Sequence, residues 1–179
     1  MSTTDEPTTH AGRFLAKLRK ITNDRGKMAA LRRGGSDATK RQAWPVIANL
    51  GEDIGNFAAC TVGAFYAEHP EEENKTWSFG ETCRRIALHG ATGYDIPDSF
   101  DKRFRRLLAC NSADEVADQF KAWIRFAKAK GIRVNYERMY NDLAWWDKSA
   151  DETKLRWARG FWPARKEAGE EPVTGEAAA

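Results

Sequence analysis

Ser99-Phe-Asp-Lys-Arg-Phe-Arg-Arg-Leu-Leu-Ala-Cys110 places four cations in the five positions from Lys102 to Arg106, with apolar residues before, between and after them. An α-helix turns by about 100° per residue. With Lys102 at zero, Phe100, Phe104, Leu107 and Leu108 fall between about 140° and 240°, while Arg105, Arg106 and Arg103 lie near 300°, 40° and 100°. The segment therefore reads as one amphipathic helix, with a hydrophobic stripe for a core and cations turned outward. The same period recurs on both sides of it, and that recurrence decides the fold class.

Upstream, Phe14, Leu15, Leu18 and Ile21 outline a first helix ending near Asn23, and Met28 and Leu31 a short second one that stops at Gly34-Gly35. A third helical segment follows Ser36-Asp37 towards Leu50, with Pro45 expected to break it in two. Ile54, Phe57, Ala58, Thr61, Val62 and Phe65 mark a long buried helix halted by His69-Pro70. Three Ser-x-x-Glu sequences, Ser78/Glu81, Ser112/Glu115 and Ser149/Glu152, each stand before a periodic apolar segment and read as capping boxes. Asn135 is placed to cap one more helix, with Tyr136, Met139, Tyr140, Leu143 and Trp146 inward. Only Ile132-Arg-Val134 reads as extended, and it is too short to found a sheet. The expectation is an all-α fold of about eight to nine helices in two packed helical-bundle lobes, over residues 9–97 and 98–166, divided at the linker Ala91–Pro97. Residues 1–8 and the acidic stretch 167–179 are expected to be mobile tails.

At 179 residues, with 41% hydrophobic residues and seven Trp, the chain can bury a substantial core. No apolar run is long enough to span a bilayer, and the N-terminus lacks an apolar signal segment, so a cytoplasmic protein without a membrane partner is expected. Cys60, Cys83 and Cys110 form no C-x-x-C pair and read as buried thiols; His10, His69 and His89 have no ligand-spaced neighbour. Neither a metal nor any other cofactor is expected. Phosphate-loop, zinc-protease and nucleophile-elbow motifs are absent from the sequence, which argues against an enzyme. Asp142 and Asp147 read as solvated or cap-adjacent charges, and Glu71-Glu72-Glu73 as a mobile loop.

The net charge of +3 conceals strong local imbalance. Residues 13–41 hold ten Lys/Arg against two acids, residues 42–82 seven acids against one Lys, and residues 83–133 eleven Lys/Arg against six acids. After the opening helix, Lys121, Arg125 and Lys128 recur at i, i+4 and i+7 and make a single stripe. Arg32 and Arg33 crown the second helix beside two glycines. Few acids stand near these groups in sequence, and like charges three or four positions apart destabilise a helix by a few tenths of a kcal/mol per pair. Such a pattern points to an external anion, and phosphate suits Arg best because the guanidinium is a planar, bidentate donor. Cations spread over several helices suit tracking of a backbone without reading bases.

In order and spacing the chain resembles the CasB family, the small subunit of the type I-E CRISPR Cascade complex. The resemblance rests on ALRRG (30–34), FAACTVGAFYAEHP (57–70), WSFGETCRRIA (77–87), FDKRFRRLLACNSADEV (100–116) and YERMYNDLAWW (136–146). It implies an all-helical, two-lobed protein without enzymatic activity that pairs with a second copy of itself beside other Cascade subunits. It also implies contacts to guide RNA and to target and displaced DNA backbones that stabilise the R-loop. The family's backbone-contacting positions fall here on Arg33 with Arg32 beside it, on Lys102, Arg103 and Arg106, on Lys121 and Arg125 with Lys128 interchangeable, and on Lys148.

Two other readings compete. A helical scaffold could use the alternating charge blocks to meet acidic protein surfaces or to dock one copy head-to-tail on another. A helix-turn-helix regulator could place SDATKRQAW after Arg32-Arg33-Gly-Gly, although Trp44-Pro45 interrupts its recognition helix. Among the C-terminal aromatics, Trp145 lies off the inward stripe and is the one expected at an interface.

Overall fold

Most helices of this protein start where a short polar side chain can accept from the free amides of a first turn; those at Trp44, Asp98 and Trp146 do not. The computed structural model describes residues 9–164; the tails expected over 1–8 and 167–179 lie outside them. In chain order the helices are α1 (His10–Ile21), α2 (Arg25–Arg33), α3 (Trp44–Asn49), α4 (Phe57–Glu68), α5 (Phe79–Leu88), α6 (Asp98–Leu108), α7 (Ala113–Lys130), α8 (Tyr136–Ala144) and α9 (Trp146–Phe161), with a 3-10 turn over Lys40–Gln42. Thr9, Asp24, Asn56, Ser112 and Asn135 each accept from a first-turn amide of the following helix. The fold is all-α, and the one extended contact among the described residues is an isolated parallel bridge between Glu72 and Val134.

The three expected capping boxes have three outcomes. Ser78 and Glu81 close a complete box at the start of α5. Ser112 caps α7, but Glu115 reaches one residue further back and accepts from the Asn111 amide at 2.6 Å. Ser149 stands at a kink that divides α9 into two helical stretches, with a non-helical backbone (φ −137°, ψ 22°), so a helix does start after it as expected, but its side chain does not form the box. Its hydroxyl donates instead to the Trp145 carbonyl at 2.9 Å, and its own backbone amide donates to the same oxygen at 3.0 Å. The segment towards Leu50 falls in two pieces as expected, the 3-10 turn Lys40–Gln42 and α3, with Pro45 in the first turn of α3, where its missing N–H costs nothing.

Helix α4 is central. Ala58, Ala59, Val62, Gly63, Ala64, Phe65, Tyr66 and Ala67 are all buried, and α1, α2, α3, α7 and α8 pack around it. Small residues make this possible: a Cβ added to Gly63 would stand 3.3 Å from Ile47 of α3 and 3.5 Å from Leu31 of α2. A second layer forms where α5 crosses α9. A Cβ on Gly80 would overlap the Trp157 carbonyl, and one on Gly160 would overlap Glu81, so the crossing depends on glycine from both helices. Aromatic rings fill the space between α5, α6, α7 and α9, with Phe104 stacked on Phe161 at 3.9 Å and Trp123, Trp146 and Trp157 buried.

The packing crosses position 97. Helix α5, before it, packs on α7 and α9 after it; α8, from the second half, packs on α1 and α4 from the first. One continuous core cluster runs through both halves. The Glu71–Glu73 run is not a loose loop: Val134 donates its amide to the Glu71 carbonyl at 3.0 Å and Glu73 donates to the Val134 carbonyl at 2.9 Å. Asp142 is buried rather than solvated. Cys83 and Cys110 are buried, Cys110 lying beyond the end of α6, whereas Cys60 is only half-buried. No helix among the described residues is long and apolar enough to cross a membrane.

Candidate nucleic-acid interface

Helix α6 is amphipathic as its sequence requires. Phe104 and Leu107 are fully buried, and Lys102, Arg105 and Arg106 are exposed. Asp101, in the first turn, accepts from Arg105 at 2.6 Å and from the Trp162 indole at 2.9 Å. The Arg105 hydrogen bond holds the Asp101 carboxyl below the usual range. Arg105 also lies over the Trp162 ring at 4.9 Å, so one of the four cations is committed to fixing the end of α9. Arg103 lies over the Phe126 ring of α7 at 5.1 Å, with its charge on the α6–α7 seam. The side chains of Lys102 and Arg106 make no hydrogen bond, ion pair or ring contact among the described residues.

Helix α7 carries its stripe differently from expectation. Lys121 pairs with Asp118 at 2.6 Å within the helix, and Lys128 pairs with Glu68 of α4 at 2.7 Å. The Glu68 pairing was invisible in the sequence because the partner lies sixty residues away. Arg125 is exposed and has no such partner among the described residues. With Lys121 at zero, Arg125 lies near 40° and Phe126 near 140°. Arg125 thus stands on the outer surface between Lys121 and the seam that holds Arg103.

Arg32 and Arg33 diverge. Arg32 turns its Nε to the Ala67 carbonyl at 2.9 Å, satisfying an orphan acceptor of the last turn of α4. Arg33 donates to Gln42 Oε1 at 3.0 Å and stays exposed beside the 3-10 turn. Below it opens a cleft of about 370 Å³ between the loop after α2, the start of α4 and the first half of α7. Trp44, Phe57, Phe65 and Ala64 lie in its wall, and Asp37, Lys40, Asp118 and Lys121 on its rim. Lys40 bonds Asp37 at 3.0 Å and, with the nearby Lys121, lowers the Asp37 carboxyl below its ordinary range. Lys148 is exposed over the exposed Trp145 ring at 5.1 Å, at the α8–α9 junction. The Trp146 indole reaches the Asn111 carbonyl between α6 and α7 at 3.3 Å, which ties that junction to the end of the basic helix.

The fold therefore sets Arg103 of α6 against Phe126 of α7, leaves Lys102, Arg106 and Arg125 exposed on these two packed helices, and brings Lys121 near Asp37. Arg32 is drawn into a structural bond. A family model for the CRISPR-associated protein Cse2 matches residues 27–162, most of the chain. This chain belongs to the Cse2 family.

Solved Cse2-type structures share its fold. The chain superposes on a Cse2-family CRISPR-associated protein from Thermus thermophilus with a TM-score of 0.69 at 21% identity, covering 88% of this chain and 100% of the other. CasB from Thermobifida fusca gives 0.65 at 18% identity, over 84% and 96%. A structure of CasB from Thermus thermophilus gives 0.68 at 20%, over 88% and 100%. No curated protein matches the chain in sequence. Within this Cse2-family fold, residues 36–43 of SDATKRQAW form turns and the 3-10 turn Lys40–Gln42 rather than a helix, which removes the helix-turn-helix reading. Lys40 and Arg41, passed over in the sequence as part of a diffuse basic block, stand exposed beside Arg33. Only the Asp37-x-x-Lys40 spacing signalled them.

Proposed function

We propose that this Cse2-family chain is a non-catalytic subunit of a type I-E Cascade surveillance complex. It grips the sugar-phosphate backbones of the target and displaced DNA strands and stabilises the R-loop beside guide RNA. The observation that carries this reading is the set Lys102, Arg106 and Arg125: exposed cations on two packed helices, without intramolecular carboxylates among the described residues. Desolvating no carboxylate of its own, such a face gains from releasing the counterions of a polyanion. The sequence is left to base pairing, as guide-directed complexes require. Other Cascade subunits and a second copy of the chain complete the assembly in this proposal.

Affinity for a single-stranded oligonucleotide, measured against salt, tests it. About six neutralised phosphates predict a slope of log K on log salt near −4. A slope near zero excludes backbone binding. A scaffold reading draws on one observation, the self-paired rim of the cleft by α7, where Lys40–Asp37 and Lys121–Asp118 are already neutralised. That surface suits a protein partner better than a phosphate chain, and the two readings are compatible on different faces.

A further inference from the structure

The described chain ends against the basic helix. Trp162 is fixed there by its indole bond to Asp101, by edge contact with Phe104 at 5.2 Å and by the Arg105 guanidinium over its ring. These contacts occupy the Asp101/Arg105 edge of α6. One step around the helix lie Lys102 and Arg106, with Arg103 beyond them. Fifteen residues, 165–179, follow the last described position, Ala164. They open with Arg165 and Lys166; from Glu167 onward they carry Glu167, Glu170, Glu171 and Glu176 and no Lys or Arg.

We infer that the acidic segment 167–179 is an intramolecular occupant of the α6 basic face, lying over Lys102, Arg103 and Arg106 when no nucleic acid is bound. Reach is ample, because fifteen extended residues span about 50 Å and an eleven-residue helix only about 16 Å. Tethering gives the carboxylates an effective concentration on the order of millimolar at a face they leave by less than one helix length. Charge matches charge: the carboxylates answer cations that the folded body leaves unpaired. The segment would act as a low-affinity competitor, displaced by a long polyanion with many simultaneous contacts but not by short or sparse ones. It suppresses stray binding and leaves cooperative strand binding intact. The effect on DNA rests on the proposed backbone-binding role; the contact itself does not.

The experiment compares the full chain with a variant carrying Glu167→Gln, Glu170→Gln, Glu171→Gln and Glu176→Gln, using a thymidine oligonucleotide of about twenty residues. At low salt the variant should bind on the order of tenfold more tightly, and the gain should vanish above roughly 0.3 M salt as screening removes the competing contact. The gain should also be absent when Lys102→Gln, Arg103→Gln and Arg106→Gln are present. Equal affinity of variant and parent at low salt overturns the inference, as does a gain that survives in the triple-Gln background. A second readout needs no nucleic acid: a zero-length carbodiimide treatment should join Lys102 to Glu167, Glu170 or Glu171 within one chain, mapped by mass spectrometry. If no form of the protein binds DNA, the backbone-binding role fails while this cross-link still decides the contact; its absence overturns the inference.

Discussion

Asp142 concentrates several dependencies in one side chain. Its carboxylate accepts from Arg156 at 2.5 Å and from the buried Trp157 indole at 2.8 Å, with Arg138 at 3.7 Å. Burial pushes the carboxyl up, and Arg156 and Trp157 oppose that shift without cancelling it. Asp142→Ala leaves a buried N–H and a guanidinium without their acceptor and should cost about 3 kcal/mol or more, read as a lowered urea midpoint with unchanged m-value. Asp142→Asn, which keeps one acceptor for Trp157, should cost less. Asp101 shows the opposite shift. Because its folded value lies below the ordinary 3.8, its contribution is present above that pH and is lost as pH falls through the folded value. Asp101→Asn should therefore make stability fall less steeply than in the parent below about pH 4, measured by thermal melts in an acid series. Neither role was legible in the sequence. Asp142 looked solvated because its two hydrogen-bond partners are fourteen and fifteen residues away on another helix. Asp101, four residues before Arg105, was legible as an intrahelical partner, but its bond to Trp162 was not.

Among the helices, legibility followed the range of the forces involved. Caps are local, so Ser78, Ser112 and Asn135 marked their helices correctly. Ser149 also marked a real break, where α9 divides into two helical stretches; the stretch before it, not foreseen as part of the helix, holds Trp146 in the core against Trp157, 5.6 Å between rings. The kink at Ser149 is the local preference surviving inside the longer helix. The α5–α9 crossing has no sequence signal except two glycines. Gly80→Ala puts a methyl group into the Trp157 carbonyl, backbone against backbone, so relief requires shifting a whole helix. The cost should be about 3 kcal/mol. Calorimetry of this variant should show a far larger loss than Gly93→Ala, where an added Cβ meets nothing within 4 Å.

Across the whole molecule, the alternating charge blocks are tied to one another by a few long-range ion pairs. Acids of the 42–82 block meet bases of the blocks on either side: Glu72 with Arg19, Glu68 with Lys128, Glu73 with Arg85. His10 reaches Glu52 at 3.0 Å as well. The sequence showed the blocks but not this cancellation, which needs the fold to bring distant segments together, and it weakens the idea of one copy docking on another through bulk charge. The cations left over carry the functional argument. Lys102, Arg106 and Arg125 among them lie on α6 and α7, helices anchored by Phe104, Phe120 and Trp123, all fully buried. Charge reversal there separates a phosphate grip from a structural role. Arg106 is exposed, whereas Arg103 is half-buried over the Phe126 ring, so Arg103→Glu with Arg106→Glu should lower the melting temperature by a few degrees at most, the loss of about 1 kcal/mol of cation–π contact. If two phosphate contacts are lost, affinity for single strands should fall by about tenfold or more at low salt, equally for every sequence, and the magnitude of the salt slope should drop by about 1.4. Lys128→Glu is the internal control: it breaks an ion pair with Glu68 and places two acids together, so it should cost stability more than slope. An α6 variant that loses affinity for some sequences and not others would mean that this face reads bases, and the backbone grip would have to be abandoned.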